Sequence, residues 1–218
     1  GDVLAALRRL GLYDDSTILV TADHGEDMRE HNAVQEHREP YETTVKVPLI
    51  VKPAAGWPAA RPARVPAMVG HVDLMPTILE LAHAPAPEKL DGKSWLPLLA
   101  SPDRALHDRL YITGGAIKQN GRWRVPELAV RTPRHKYIRR VRAWLEPNHV
   151  PSDVICLCGQ AWWGREGCDW RDRVAFFNSL PHEELYDLDV DPNETNNLVE
   201  TEPETAREMR EALERHIA

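Results

Sequence analysis

The stretch that most constrains this chain is residues 16–26, where an apolar run gives way to a charged turn. Residues 16–20 are rich in β-branched side chains and are typical of a buried strand. Asp23, His24 and Gly25 follow at the point where that strand would end. Ligands bind outside the carboxyl ends of strands in open α/β sheets, and a carboxylate beside an imidazole offers two kinds of metal ligand. Taken alone, these residues also fit an ordinary turn in which Asp23 caps backbone amides.

Composition narrows the class of protein. The chain has 218 residues, so one or two domains are expected, and its 42% hydrophobic and 28% charged content is ordinary for a globular protein. The net charge of −7 provides no basic field for phosphates, so we expect no nucleic acid partner. No apolar stretch approaches the length of a membrane span. The chain opens directly in an amphipathic helix, as a fragment would, so localisation is not predicted.

Alternating helices and strands predict that residues 1–105 are the end of an α/β core. Strands are expected at residues 16–22 and 45–51, with Pro48 marking a bend in the second. Asp73 is expected to cap a helix that follows it, and His71 beside it is expected to be a satisfied polar group near the core.

Residues 106–218 predict a small subdomain in which an antiparallel sheet precedes a C-terminal helix. The alternating polarity of its strands predicts one face packed on a core and one face in solvent. Lys136 and Tyr137 are expected at a solvated edge of this sheet. Thr201 and Glu204 form a capping-box pattern at the start of the helix. The predicted strands cover residues 109–113, 128–132, 136–141 and 184–188.

Residues 144–180 stand apart because they concentrate tryptophan and cysteine. Three cysteines allow one disulfide, and no fourth ligand stands at a spacing that would complete a zinc site. A loop that faces substrate and a satellite core that covers the small sheet remain equally open. The residues concerned are Trp144, Trp162, Trp163, Trp170, Cys156, Cys158 and Cys168.

Several motifs, taken together and in order, resemble the sulfatases of the alkaline phosphatase superfamily. The resemblance is to the C-terminal half of that family. Its nucleophile stretch, Cys-x-Pro-x-Arg or Ser-x-Pro-x-Arg, is not found in these residues, and neither is its first pair of metal-binding aspartates. The matching motifs lie at residues 12–18, 23–26, 30–31, 41–42, 47–50, 72–77, 92–99, 184–188, 191–192 and 194–198.

The resemblance assigns roles to particular residues. Asp23 and His24 are similar to the family's second pair of metal ligands, which implies Ca²⁺, with Mn²⁺ as the alternative. His37 lies four residues before Tyr41, where the family places a residue that binds the sulfate group or donates a proton to the leaving oxygen. His31 is a less favoured candidate for that part, and a solvated loop histidine is the alternative at position 37. The nucleophile implied is formylglycine, outside these residues.

What the resemblance implies for function is hydrolysis of sulfate esters, with a sulfated small molecule or glycan as substrate. A phosphonate or phosphate ester hydrolase on the same scaffold is one alternative. A non-catalytic binding module that keeps the fold is the other. Because half of the site is expected outside these residues, we expect the 218-residue chain alone to be inactive, and its oligomeric state is left open.

Overall fold

The computed structural model of the chain describes residues 1–28, 30–31, 39–57, 64–114, 117–119, 122–124, 127–140 and 181–217. These residues form two compact units, one of Gly1–Asp23 with Val47–Leu110 and one of His24–Lys46 with Tyr111–Ala218. The segment 24–46 therefore groups with the C-terminal residues, although the chain on both sides of it belongs to the first unit. The domain boundary near residue 105 stays a prediction. The tryptophan- and cysteine-rich stretch at 144–180 lies outside the described residues.

The first unit combines short helices with one pair of strands. Strands β1 (Ile18–Thr21) and β2 (Leu49–Lys52) pair antiparallel, with Ile18 opposite Lys52. The core contains the buried side chains of Trp95, Leu96 and Leu98, against which hydrophobic residues of both strands pack. The elements are α1 (Asp2–Arg9), β1 (Ile18–Thr21), β2 (Leu49–Lys52), α3 (Leu74–Leu81) and α4 (Pro97–Ala100).

Two sequence predictions in the first unit need correction. The strand expected at 45–51 begins only at Leu49, one residue after Pro48, which has no backbone N–H to donate. The Asp73 carboxylate does not cap α3, because it accepts hydrogen bonds from the backbone N–H groups of Gly70 and Lys93, both at 2.8 Å. His107 Nε2 lies 2.9 Å from the same carboxylate.

His71 is also placed differently from the expectation. Its side chain is exposed and not near the core. Its Nε2 lies 2.9 Å from the carbonyl oxygen of Ala22, the residue that follows β1 by one position, so the ring is satisfied as predicted.

The second unit is built on a four-stranded sheet with the order β3-β6-β7-β8, in which β7 pairs antiparallel with β6 and with β8. The remaining strands, β4 and β5, form an antiparallel pair of their own. The elements are α2 (Glu42–Val45), β3 (Leu110–Gly114), β4 (Ile117–Gln119), β5 (Arg122–Arg124), β6 (Glu127–Arg131), β7 (His135–Arg140), β8 (Glu183–Asp187) and α5 (Pro203–Ile217).

One face of this sheet packs on the C-terminal helix. Val130, Tyr137 and Leu185 point to that face and form a buried cluster with Met209 and Leu213 of α5. The helix begins at Pro203, so the predicted capping box does not form: the Thr201 hydroxyl donates instead to the carbonyl oxygen of Leu198. Among the described residues, no helix is both long and apolar enough to cross a bilayer.

The opposite face of the sheet is covered too, which contradicts the predicted solvent-facing side. Ala129, Ile138 and Tyr186 point to this face and form a buried cluster with Tyr41, which precedes α2. The charged residues that alternate with apolar ones along β7 pair with residues of the segment 39–45. This second face of the sheet therefore contacts the segment 39–45 of the same unit, in part through ion pairs.

Candidate functional site

Asp23 lies two residues beyond β1, where the sequence places it, and its side chain is exposed. The position is that of a side chain leaving the carboxyl end of a strand. A carboxylate there is accessible to a cation. Its role as a metal ligand stays a prediction.

His24 is exposed, and one of its ring nitrogens has a defined partner. Nδ1 lies 2.8 Å from the carbonyl oxygen of Gly25. Because a carbonyl oxygen only accepts, this contact is a hydrogen bond in the tautomer that carries its proton on Nδ1, and that tautomer leaves the Nε2 lone pair for a cation. A histidine that binds a metal through one nitrogen usually donates the other N–H to such an acceptor. The tautomer of His24 therefore fits a metal ligand.

Gly25 lies so close to the backbone of α2 that a residue with a Cβ atom would not fit at its position. Its N–H donates to the carbonyl oxygen of Thr44 at 2.6 Å. A Cβ atom at Gly25 would lie 2.0 Å from the carbonyl oxygen of Thr43. The turn that carries His24 is therefore in direct contact with the backbone of α2.

Asp27 and His31 tie the same turn to α2 through side chains. The buried carboxylate of Asp27 accepts hydrogen bonds from His31 Nδ1 at 2.8 Å and from the Thr43 hydroxyl at 3.3 Å. Nε2 of His31 lies 3.0 Å from the carbonyl oxygen of Asn193, and the ring stacks on Tyr41 with centroids 3.7 Å apart. With both ring nitrogens bonded and one face covered, His31 is held as a structural group. It does not suit the substrate-binding part considered for it.

His37, the residue expected to bind the sulfate group, falls within residues 32–38 and lies outside the described residues. The described chain resumes at Glu39, which is buried, as are Pro40 and Tyr41. The residues that follow position 38 are therefore buried in the second unit.

A buried group of charges, which we call the Lys136 cluster, holds the beginning of α2. It contains Lys136, Glu42, Glu194 and Arg131. The ammonium group of Lys136 lies 2.8 Å from a carboxylate oxygen of Glu42 and 2.8 Å from one of Glu194. Arg131 donates from Nε and Nη2 to the two carboxylate oxygens of Glu42, at 3.0 and 3.2 Å. Two cations thus balance two carboxylates, and Lys136 is fully buried, contrary to the solvated edge predicted for it.

A second group, the Arg140 cluster, lies on the same face of the sheet and contains Arg140, Glu127, Glu184 and Tyr41. The guanidinium of Arg140 pairs with Glu127 at 2.5 Å and with Glu184 at 2.7 Å. It also donates to the Tyr41 hydroxyl at 3.0 Å, and that hydroxyl donates to Glu184 at 3.0 Å. One cation thus faces two buried carboxyl groups, and Glu39 adds a third negative charge nearby. The cluster has an excess of negative charge.

The pKa values of Glu127 and Glu42, one from each cluster, are shifted in opposite directions. Burial raises the pKa of Glu127 from 4.5 to about 7, although Arg140 opposes that shift. Burial would also raise the pKa of Glu42, but the hydrogen bond from Arg131 and the charge of Lys136 outweigh it and lower that pKa to about 2. The difference follows from the balance of charge, since Glu42 has two cations beside it and Glu127 shares one.

We expect these shifts to give the free energy of unfolding a maximum near pH 4.5. The folded protein holds the Glu127 proton more tightly than the unfolded chain, so this stabilisation is complete below about pH 4.5 and is lost as pH rises through about 7. The Glu42 contribution is present above about pH 4.5 and is lost as pH falls toward about 2. Each shift corresponds to about 3 kcal/mol.

Urea unfolding of the wild type and of Glu127→Gln across this range measures the effect. In Glu127→Gln the decline between pH 4.5 and 7 should become shallower while the acid limb remains, because burial also raises the pKa of Glu194. Identical profiles for the two proteins would contradict the assignment of the neutral limb to Glu127.

No metal site is complete within the described part of the chain. Among those residues, no three His, Cys, Asp or Glu side chains come together in an arrangement that could hold a cation. Asp23 and His24 supply an oxygen and a nitrogen ligand at successive positions, and the His24 tautomer suits metal binding. These residues fit half of a divalent metal site.

Sequence reasoning found the residues at the end of β1 but missed the residues that hold them. Asp27 and Thr43 were not identified as supports, and Lys136 was interpreted as part of a solvated edge because it lies in a basic run at the start of a strand. One signal could have indicated that these segments lie together: two motifs that match the same family lie at 23–26 and 41–42, with fourteen residues between them.

Comparison with known proteins gives a consistent result. Residues 1–84 match the sulfatase family. An extracellular sulfatase SULF-1 homolog of Drosophila melanogaster is 32% identical over 155 residues, which are 71% of this chain and 14% of that protein. Two solved structures share the fold: a 2-O GAG sulfatase (TM-score 0.69, 23% identity, 99% of this chain and 39% of that one) and a phosphonate monoester hydrolase of Agrobacterium radiobacter (TM-score 0.69, 19% identity, 98% and 37%). The chain thus spans well under half the length of the proteins it matches.

Proposed function

This chain belongs to the sulfatase family and has an alkaline-phosphatase-like fold, and from that premise we propose that the complete protein hydrolyses sulfate esters. The observation that carries the proposal is the placement of Asp23 and His24 directly after β1, with the His24 tautomer set by the Gly25 carbonyl group. These residues match the family's metal-ligand motif, and they lie within the part of the chain that matches the family.

In the proposed site, Asp23 and His24 bind a divalent cation, Ca²⁺ or alternatively Mn²⁺. The Asp23 carboxylate supplies a hard oxygen ligand, and His24 binds through Nε2 while Nδ1–H donates to the Gly25 carbonyl group. When bound, the cation supplies positive charge against the oxygens of the sulfate group. His37 binds the sulfuryl group or donates a proton to the leaving oxygen. Formylglycine, outside this chain, is the proposed nucleophile.

We propose a sulfated glycan as substrate. Two of the similar proteins are by name an extracellular sulfatase homolog and a 2-O GAG sulfatase, and this chain shares sequence with the first and fold with the second.

Hydrolysis of phosphonate monoesters is the second candidate. The fold favours neither activity, because the phosphonate monoester hydrolase and the 2-O GAG sulfatase give the same TM-score of 0.69. Sequence similarity distinguishes them better, since the 32% identical relative is a sulfatase homolog and the hydrolase is 19% identical. This difference in sequence identity supports a sulfate ester, and not a phosphonate monoester, as the substrate.

The test compares two esters with one leaving group on the complete protein. We expect kcat/KM for nitrophenyl sulfate to exceed that for nitrophenyl phenylphosphonate by at least about tenfold, which is about 1.4 kcal/mol of discrimination between transition states. A reversed preference would support the phosphonate reading. Hydrolysis of neither ester, in a folded protein supplied with Ca²⁺ or Mn²⁺, would support a non-catalytic module.

Removing either proposed ligand should weaken cation binding without unfolding the protein. Both side chains are exposed, so Asp23→Asn and His24→Gln should change the free energy of unfolding by less than about 0.5 kcal/mol. Titration calorimetry with Ca²⁺ and Mn²⁺ measures the affinity, and Asp14→Asn serves as a control because it removes one carboxylate before β1. Wild-type affinity in both ligand variants would contradict the assignment.

A further inference from the structure

We propose that Lys136 is a positioning residue for this site: its buried ammonium group fixes the start of α2, and α2 fixes the turn that carries His24. This inference rests on the proposed function, since it concerns the same site. It gives the small C-terminal sheet a role in holding the site residues, in addition to its own packing.

The first link is the hold of Lys136 on the segment 39–45. Its ammonium group donates to the carbonyl oxygen of Pro40 at 2.9 Å and pairs with the Glu42 and Glu194 carboxylates. The N–H of Glu42 donates in turn to the other Glu194 oxygen at 2.5 Å. The ammonium group therefore donates to one carbonyl oxygen and pairs with two carboxylates, and it contacts both Pro40 and Glu42 from one buried position.

The segment depends on this hold because α2 has little stability of its own. The helix has four residues, and its N-cap residue, Tyr41, forms no side-chain capping hydrogen bond. A helix of this length does not form in isolation, since nucleation fixes several dihedral angles for a single hydrogen bond. Charged hydrogen bonds have a specific geometry. The Lys136 cluster therefore fixes the positions of Pro40 and Glu42 in addition to burying them.

The second link runs from α2 to the His24 turn. The Thr44 carbonyl oxygen accepts from Gly25 N–H, and the Thr43 hydroxyl donates to Asp27. The backbone of Thr43 also lies against Gly25 so closely that no Cβ fits between them. A shift of α2 would therefore shift the turn at Gly25 and at Asp27, the first and third residues after His24.

The two links predict an effect that a purely stabilising ion cluster would not have. Gly25 supplies the carbonyl oxygen that receives the His24 Nδ1 proton, so movement of Gly25 changes the tautomer of His24. Outer partners of this kind change metal affinity by about 10–100-fold when they are removed. Loss of Lys136 should therefore alter the imidazole itself and not the stability alone.

The experiment compares Lys136→Met with Arg139→Met in the complete protein. Both substitutions remove a cation from β7, but Arg139 pairs with Glu214 of α5 on the other face of the sheet. The readouts are the His24 ring ¹⁵N shifts, the Ca²⁺ and Mn²⁺ affinities by calorimetry, and the urea midpoint. In Lys136→Met we expect the His24 signals to leave the Nδ1–H tautomer and the cation affinity to fall about 10–100-fold. Arg139→Met should leave both unchanged.

Thr43→Val keeps the test decisive if Lys136→Met fails to fold, because it removes one hydroxyl and leaves the Lys136 cluster intact. It should shift the His24 signals in the same direction and weaken cation binding about tenfold. A folded Lys136→Met with wild-type His24 signals and affinity would overturn the proposal. If Lys136→Met does not fold, wild-type values in Thr43→Val would overturn it equally.

The outcomes separate this inference from the proposed function. If the wild type binds no cation and hydrolyses no sulfate ester, the proposed function fails. The His24 ¹⁵N shifts need neither metal nor substrate, so a shift in Lys136→Met with none in Arg139→Met supports the positioning role in that case. The absence of that shift overturns the role, whatever the enzyme assay shows.

Discussion

Replacing Arg140 with Met should lower the free energy of unfolding by about 3–5 kcal/mol, the cost of leaving buried carboxylates without their counter-ion. Arg140 is 3% exposed and pairs with Glu127 and Glu184, which are 0% and 2% exposed. Met keeps much of the volume of the side chain and removes the charge. Urea unfolding of the wild type and the variant at about pH 8, where Glu127 is ionised, measures the loss.

Two comparisons identify the cause of that loss. Arg207 forms its ion pairs on the exposed surface of α5, so Arg207→Met should cost less than about 1 kcal/mol. Adding Glu127→Gln to Arg140→Met removes one uncompensated charge and should recover part of the stability. Because Glu127 already titrates near pH 7, the cost of Arg140→Met should also shrink as pH falls toward 5. A loss that is equal at both pH values and insensitive to Glu127→Gln would point to packing instead of charge.

The same residues show where sequence reasoning succeeds and where it stops. Each of the strands expected in residues 109–188 forms within one residue of its predicted start. Local alternation and β-branched content were sufficient for this, because both report the half-buried surface of a strand. The C-terminal helix, also expected from the sequence, packs on the sheet through Ala206, Met209 and Leu213.

The failures concern charged residues whose partners lie far along the chain. Lys136 and Glu42 are 94 positions apart, yet they form one buried ion pair. A single sequence shows the two charges but not their pairing, so Lys136 was predicted at a solvated edge. The Asp73 carboxylate was misassigned for the same reason, since its partners Lys93 and His107 come later in the chain.

In the candidate site, too, the residues identified by local sequence differ from those held by distant contacts. Asp23 and His24 were identified from residues next to one another, because a strand end and a family motif are both local. The contacts that support His24 join residues far apart in the chain: Gly25 bonds to Thr44, and Asp27 bonds to Thr43. Sequence therefore identified the candidate ligands, and the structure shows what holds one of them.

Placing a methyl group on Gly25 tests that support directly, and Gly25→Ala should reduce kcat/KM for a sulfate ester by about 100-fold. The new Cβ would lie 2.0 Å from the Thr43 carbonyl oxygen and 3.0 Å from its carbon, so the turn and α2 must move apart. That movement displaces His24 and strains the Gly25–Thr44 hydrogen bond. Overpacking of this kind also costs about 1–3 kcal/mol of stability.

Gly92→Ala is the matched control for the Gly25 substitution. A Cβ at Gly92 would also meet a carbonyl oxygen at 2.0 Å, that of Val72, but Gly92 and Val72 belong to the first unit, whereas His24 and Gly25 belong to the second. Both variants should lose stability to a similar extent, while only Gly25→Ala changes cation affinity and the His24 ¹⁵N shifts. Gly70→Ala, whose nearest contact is 3.5 Å, should behave like the wild type. Equal loss of cation affinity in the Gly25 and Gly92 variants would show that general destabilisation, and not displacement of His24, accounts for the effect.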